Sequence, residues 1–230
     1  MKIYGLQKMT LLDFPGKVAC TVFLGGCDFR CPYCHNFELV NGTAPAVMEE
    51  EELMSFLKKR RGLLDGVVVT GGEPCLHRDL PDFLRKVRSL GFQTKLDTNG
   101  YHPELLSRIL EEGLADYVAM DIKNSPAKYA ATCGLAEVNL GLIKESIRLI
   151  MHCAPDYEFR TTVVEEFHTA EDFREIAEMI GGASKYYIQA FTDRDTVPCR
   201  TLHAPDRKVL EKAAETVKER VSCVELRGID

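Results

Sequence analysis

From Lys17 onward the chain alternates short β-branched runs with longer segments whose apolar residues recur at helical spacing, and no other feature limits its fold so strongly. Strands are expected at 17–24, 66–70, 92–98, 117–121, 159–164 and 186–190, with a further short strand at 223–226. Between and after them, one apolar helix face is spelled by Leu53, Phe56 and Leu57, and others by Leu80, Phe83, Leu84 and Val87, by Leu105, Leu106 and Ile109, and by Ile143, Ile147 and Ile150. Phe173, Ile176, Ala177 and Ile180, then Leu210, Ala213, Ala214 and Val217, complete the set. Helices of crossover length between strands imply parallel pairing with right-handed connections. The expected fold is therefore α/β. Six units preceded by an N-terminal loop suit an incomplete parallel (β/α)6 barrel of the TIM type, since a closed eight-unit barrel takes about 250 residues. An open doubly wound sheet is the alternative.

With 230 residues, and no long linker or low-complexity run, 1–230 reads as one domain. A formal charge of -6 argues against nucleic acid or an anionic membrane as partner. No apolar run reaches the length of a membrane span, and the first residues lack the apolar core of an export signal, so a cytoplasmic location is expected. Nine cysteines, an odd number, then point to thiol, metal or cluster chemistry and away from a disulfide framework.

The first expected strand runs into Gly25-Gly26-Cys27-Asp28-Phe29-Arg30-Cys31-Pro32-Tyr33-Cys34-His35-Asn36, which puts three thiols in a CxxxCxxC spacing on one loop. Random placement of nine cysteines yields about 0.013 such matches in a chain of this length, so the spacing is specific. A short loop of this kind can wrap three thiolates around a 4Fe-4S cluster and leave one iron open to a ligand. The alternative is a structural Cys₃His zinc site closed by His35. Further along, polar residues stand at the same end of successive strands: Gly71-Gly72-Glu73-Pro74, Asp97-Thr98-Asn99-Gly100 and Asp121-Ile122-Lys123. That end carries the site in parallel barrels. Each motif also has a structural reading, a plain turn for the glycines and a helix cap for either aspartate. On the fifth strand, Arg160 and Thr162 share a face by the period of two; Arg160 points to the barrel mouth or pairs with Glu165 or Glu166 on the rim.

The cysteine loop, with its aromatic Tyr33 before the third cysteine, together with the Gly-Gly-Glu turn, resembles the radical S-adenosylmethionine (SAM) superfamily. Leu11-Leu12-Asp13-Phe14-Pro15-Gly16-Lys17 and Val224-Glu225-Leu226-Arg227-Gly228 narrow the resemblance to glycyl-radical-enzyme activases, and among them to activating proteins of anaerobic ribonucleoside-triphosphate reductase. It implies that Cys27, Cys31 and Cys34 hold a 4Fe-4S cluster whose open iron chelates SAM. It further implies that Gly71 and Gly72 hold the methionyl amino group with Glu73 in support, and that Arg160 lies near the ribose. Lys123 is expected to pair with the SAM carboxylate, and Asp97 and Asp121 to accept from its amino group. Thr162 and Gln189 are further contacts, while Thr192 departs from the histidine that pyruvate formate-lyase activases carry. In related activases the positions of Asp97, Thr98 and Asp121 also hold a monovalent cation.

The resemblance implies reductive cleavage of SAM to methionine and a 5′-deoxyadenosyl radical, which takes hydrogen from a glycine of the partner. An external donor such as a flavodoxin or ferredoxin supplies the electron. Rival readings are a radical SAM enzyme acting on a small molecule or peptide, pyruvate formate-lyase activase-like or deazapurine synthase-like, and a zinc-loop scaffold. Cys20, Cys75, Cys133, Cys153, Cys199 and Cys223 read as buried small hydrophobes or inert thiols, Cys75 being the one to watch beside the Gly-Gly-Glu-Pro turn. His35 reads as packing beside the loop, and His77, His102, His168 and His203 accompany no nucleophile pattern.

Overall fold

A computed structural model describes residues 1–229. The strands are β1 (Lys2–Ile3), β2 (Gly5–Thr10), β3 (Ala19–Leu24), β4 (Met48–Glu49), β5 (Gly66–Gly71), β6 (Gln93–Thr98), β7 (Tyr117–Asp121), β8 (Tyr157–Val163), β9 (Lys185–Ala190) and β10 (Cys223–Arg227). The helices are α1 (Phe37–Val40), α2 (Glu50–Lys59), α3 (Leu80–Ser89), α4 (Pro103–Glu111), α5 (Tyr129–Thr132), α6 (Leu140–Cys153), α7 (Ala170–Met179) and α8 (Arg207–Lys218). None is long and apolar enough to cross a membrane among the described residues.

One sheet runs in the order β2-β3-β5-β6-β7-β8-β9-β10, parallel throughout except for antiparallel β2, and β1 pairs separately with β4. Each crossover steps one strand further in the same direction. A doubly wound sheet would reverse its order part-way; this one does not, so it curls as a partial barrel with β2 and β10 at its free edges. One detail differs from the sequence reading. The segment taken as an N-terminal loop contains β2, whose exposed Gln7, Lys8 and Met9 lack the alternation that marks a half-buried strand. The short strand expected at 223–226 is present as Cys223–Arg227 and pairs in parallel with β9, so the parallel strands number seven, one more than the six βα units.

The apolar faces of the helices pack on the outside of the sheet, where Val67 and Val69 of β5 meet Leu53, Leu57, Leu84 and Val87 in one extended core. Local caps start these helices: Glu49 and Glu52 form a reciprocal capping box on α2, as do Thr169 and Asp172 on α7. Inside the curl a second cluster, Phe14, Ala19, Val68, Tyr117 and Ala119, plugs the end opposite the cysteine loop. Gly66 makes that plug fit, because a Cβ there would stand 2.8 Å from the Phe14 ring. Above it the inward positions of β6, β7 and β8 turn polar. Glu158, 1% exposed, accepts two hydrogen bonds from Arg227 at 2.9 and 3.0 Å and one from Tyr117 at 2.8 Å.

Candidate active site

The sheet's carboxyl end opens into a cavity of about 190 Å³ walled by Cys27, Cys31 and Cys34 on one side and by Asp97, Asp121, Lys123 and Arg160 on the other. Gly71, Gly72, Tyr33, Thr98 and Thr162 also line it. Nearly every candidate named from sequence therefore meets in one space.

Backbone bonds fix the cysteine loop to the Gly-Gly-Glu turn. The amide of Gly72 donates to the Leu24 carbonyl at 2.9 Å and that of Glu73 to the Gly26 carbonyl at 2.8 Å, while Asn36 Nδ2 donates to the Gly71 carbonyl at 3.0 Å. Only glycine permits this approach: Gly71 has φ +120°, and a Cβ on Gly72 would fall 1.9 Å from the Gly26 oxygen. On the far side the amide of Arg30 donates to the Cys133 carbonyl at 2.8 Å. The neighbouring Cys133 thiol, with the nearby Lys123 ammonium, brings the Cys31 thiol down to about 7 despite its burial. Burial pushes Cys27 up to about 12 and raises Cys34 as well.

The three sulfurs share a wall, yet no three His, Cys, Asp or Glu side chains converge at single-ion distance among the described residues. His35 is turned away from a Cys₃His arrangement: it stacks on Phe191 with ring centroids 5.8 Å apart, and its Nε2 donates to the Thr192 carbonyl at 2.7 Å. Sequence reading had placed it beside the loop, and it stands there.

Glu73 does not line the cavity. Fully buried, it accepts from the Cys75 amide at 2.9 Å, the Thr98 hydroxyl at 2.7 Å and the Asn99 amide at 2.6 Å, so its carboxylate ties the turn after β5 to the turn after β6. Burial raises its pKa, against the pull of these donors. Its place is behind the cavity wall, bracing the glycines.

The strand-end charges pair with one another. Arg160 donates to Asp121 at 2.5 Å and to Asp97 at 3.1 Å, Lys95 to Asp97 at 2.6 Å, and Lys123 to Asp121 at 3.0 Å. Burial opposes charge on both aspartates, but Arg160 with Lys95 or Lys123 outweighs it and holds both below the usual carboxylate range. Arg160 thus takes neither Glu165 nor Glu166 as its partner; Glu166 accepts from His203 instead. The guanidinium lies between Asp97 and Asp121, and the Thr98 hydroxyl donates to Glu73 and accepts from the Gly100 amide.

Tyr33 is buried beside Phe167, its ring centroid 6.0 Å away. Gln189 lies on β9 opposite Thr162 and Arg227 and does not border the cavity. Asn99 and His168, like Lys95, escaped the sequence reading. Asn99 reaches the Cys27 sulfur with its amide, at 3.7 Å. His168, 4% exposed, donates from Nε2 to the Lys123 carbonyl at 2.9 Å and accepts at Nδ1 from the Val164 amide at 3.2 Å, and burial lowers its pKa. Asn99 stood inside a recognised motif, whereas nothing around His168 marks it in the sequence.

A family model described as the radical SAM superfamily matches residues 21–180. The chain belongs to that superfamily. Radical SAM proteins use a 4Fe-4S cluster and SAM, and the cavity supplies three thiols for the first and charged and backbone groups for the second. A provisionally named glycyl-radical enzyme activating enzyme of Methanocaldococcus jannaschii is 30% identical over 236 residues, covering 99% of this chain and 96% of that protein. The pyruvate formate-lyase-activating enzyme of Clostridium pasteurianum is 34% identical over 128 residues, 54% of this chain and 52% of its own length. Among radical SAM enzymes the chain therefore falls with the glycyl-radical-enzyme activases. A domain of a pyruvate-formate lyase-activating enzyme from Bacteroides vulgatus superposes with a TM-score of 0.58 at 18% identity, over 71% of this chain and 99% of that one, and shows the shared fold.

Proposed function

We propose that this chain installs a glycyl radical on a partner enzyme, with anaerobic ribonucleoside-triphosphate reductase as that partner. The observation that carries the proposal is a cavity shared by three loop cysteines and the strand-end charges, in a barrel whose edge strands β2 and β10 stay unpaired with each other. A gap of that kind suits a glycine loop entering from another protein, which then shields the radical from solvent. The Leu11–Lys17 and Val224–Gly228 segments support the reductase as partner.

In this reading Cys27, Cys31 and Cys34 hold the 4Fe-4S cluster, which when reduced supplies the electron that cleaves SAM to methionine and a 5′-deoxyadenosyl radical. The chain's own residues bind and orient SAM. Gly71 and Gly72 offer backbone to the methionyl amino group, Lys123 pairs with the carboxylate, and Arg160 and Thr162 face the ribose. Tyr33 closes the wall beside the cysteines, and His168 holds the Lys123 backbone in place. A cytoplasmic flavodoxin or ferredoxin is the proposed electron donor.

The test is anaerobic incubation of the reconstituted protein with SAM, reductant and the reductase, followed by electron paramagnetic resonance (EPR). A glycyl radical on the reductase, absent when its glycine is changed to alanine, is the expected result. Robust turnover of a free small molecule, with no radical on the reductase, would overturn the proposal.

A further inference from the structure

The Asn99 side chain does more than end a strand. It is 5% exposed, and its orientation is fixed from two sides: its backbone amide donates to Glu73 Oε2 at 2.6 Å, and its Oδ1 accepts from the Tyr101 amide at 2.9 Å. With the oxygen so engaged, Nδ2 is the end that faces Cys27, 3.7 Å from its sulfur. The Phe29 amide approaches the same sulfur at 3.4 Å. Asn36 forms a contrast, because its side-chain amide is spent on the Gly71 carbonyl.

The geometry points to Asn99 as a positioning residue that donates a hydrogen bond to the Cys27 thiolate and thereby sets the reduction potential of the cluster. The inference rests on the proposed ligation by Cys27. Reduction adds one electron from an external one-electron donor and makes the cluster and its thiolates one charge more negative. An N–H directed at a ligand sulfur stabilises that reduced state more than the oxidised one, so it raises the potential. Because the donor belongs to the turn braced by Glu73, the bond is preorganised and survives turnover without reordering. The arrangement couples the strand-end turn to the ease with which the cluster accepts its electron.

The experiment is an EPR-monitored redox titration of anaerobically reconstituted wild-type protein, Asn99→Ala, Asn99→Asp and Asn36→Ala. Asn99→Ala is expected to shift the one-electron equilibrium about tenfold toward the oxidised cluster, about 59 mV. Asn99→Asp keeps the acceptor for Tyr101 but replaces the donor with a carboxylate oxygen, and should shift at least as far in the same direction. Asn36→Ala, which removes from the cysteine loop a side-chain amide bonded to the Gly71 carbonyl and to no sulfur, should shift less than twofold. An unchanged potential in Asn99→Ala, or an equal shift in Asn36→Ala, overturns the inference and leaves the cluster assignment standing. Loss of the cluster from both Asn99 variants while they melt like the wild type also overturns it, making Asn99 an assembly residue. A wild-type protein without a 4Fe-4S signal defeats the ligation reading itself.

Discussion

Replacing Glu73 by glutamine separates two roles that the sequence motif alone leaves joined, contact with SAM and bracing of the turns. The carboxylate is acceptor-only and faces three donors, Cys75 N, Thr98 Oγ1 and Asn99 N, at 2.6 to 2.9 Å with no exposure to water. An amide has one oxygen for two donor positions. Placed toward Cys75 and Thr98, it leaves the Asn99 amide facing an NH₂; placed toward Asn99, it strands the Cys75 amide. Either way one buried N–H is orphaned, at a cost of about 1–3 kcal/mol, and each surviving bond loses its charge assistance, about 1 kcal/mol. Burial of the charge, which raises the Glu73 pKa, gives part of this back on neutralisation. The net expectation is a loss of about 2–3 kcal/mol. For a chain of this size, each kcal/mol lowers the melting temperature by about 2–4 °C, so Glu73→Gln should melt about 5–10 °C lower by circular dichroism. SAM affinity should fall alongside, through the displaced glycines. A variant that melts like the wild type but no longer binds SAM would show that Glu73 touches the ligand and would refute the bracing argument.

Lys123→Ala removes a charged donor at the cavity wall and should weaken SAM binding about ten- to a hundredfold by equilibrium dialysis, with full iron content retained. Phe14→Ala empties the barrel plug, where the ring is 3% exposed, and should cost about 3–5 kcal/mol of stability without altering iron content; an equal loss of iron would contradict the separation of plug and site. Burial alone would raise the Asp172 pKa, but hydrogen bonds from Lys128, Ser125 and Thr169 bring it down to about 2. A depressed folded-state value contributes stability above the unfolded carboxylate pKa of about 4 and loses it as pH falls toward 2. Wild type should therefore outlast Asp172→Asn in thermal melts at pH 6, with the gap closing below about pH 3.

Much of this site is legible because parallel strands put their chemistry at one end: the cysteine loop follows β3, the glycines β5, Asp97 β6 and Asp121 β7. Period and position sufficed there. The same reasoning missed β2, since an edge strand with one antiparallel neighbour carries little apolar alternation. Of the two places offered for Arg160, the barrel mouth is the one it takes, but its partner there could not be named, because register across β6, β7 and β8 decides that: Asp121 stands opposite Arg160, and no local spacing announces a residue 39 positions away. Cys133 had looked like a bystander, and in sequence it is remote from the loop; α5 and the bend after it deliver its carbonyl to Arg30. His168 is silent for a similar reason, since its two ring nitrogens serve backbone groups of two different elements.

The paired charges at the strand ends also bear on selectivity for a ligand carboxylate. Lys95, Lys123 and Arg160 bring three positive charges, and Asp97 and Asp121 bring two negative, so the network carries a surplus of one. Arg160 is tied to both aspartates, and Lys95, bonded to Asp97, is 2% exposed and does not line the cavity, which leaves Lys123, bonded to Asp121 alone, as the lining cation with donors to spare. It is also the one whose backbone carbonyl is anchored by His168. A carboxylate arriving at Lys123 can pair with it without breaking an existing ion pair. On the proposed reading, the amino-acid end of SAM meets a site already assembled, and little side-chain ordering remains to oppose its binding.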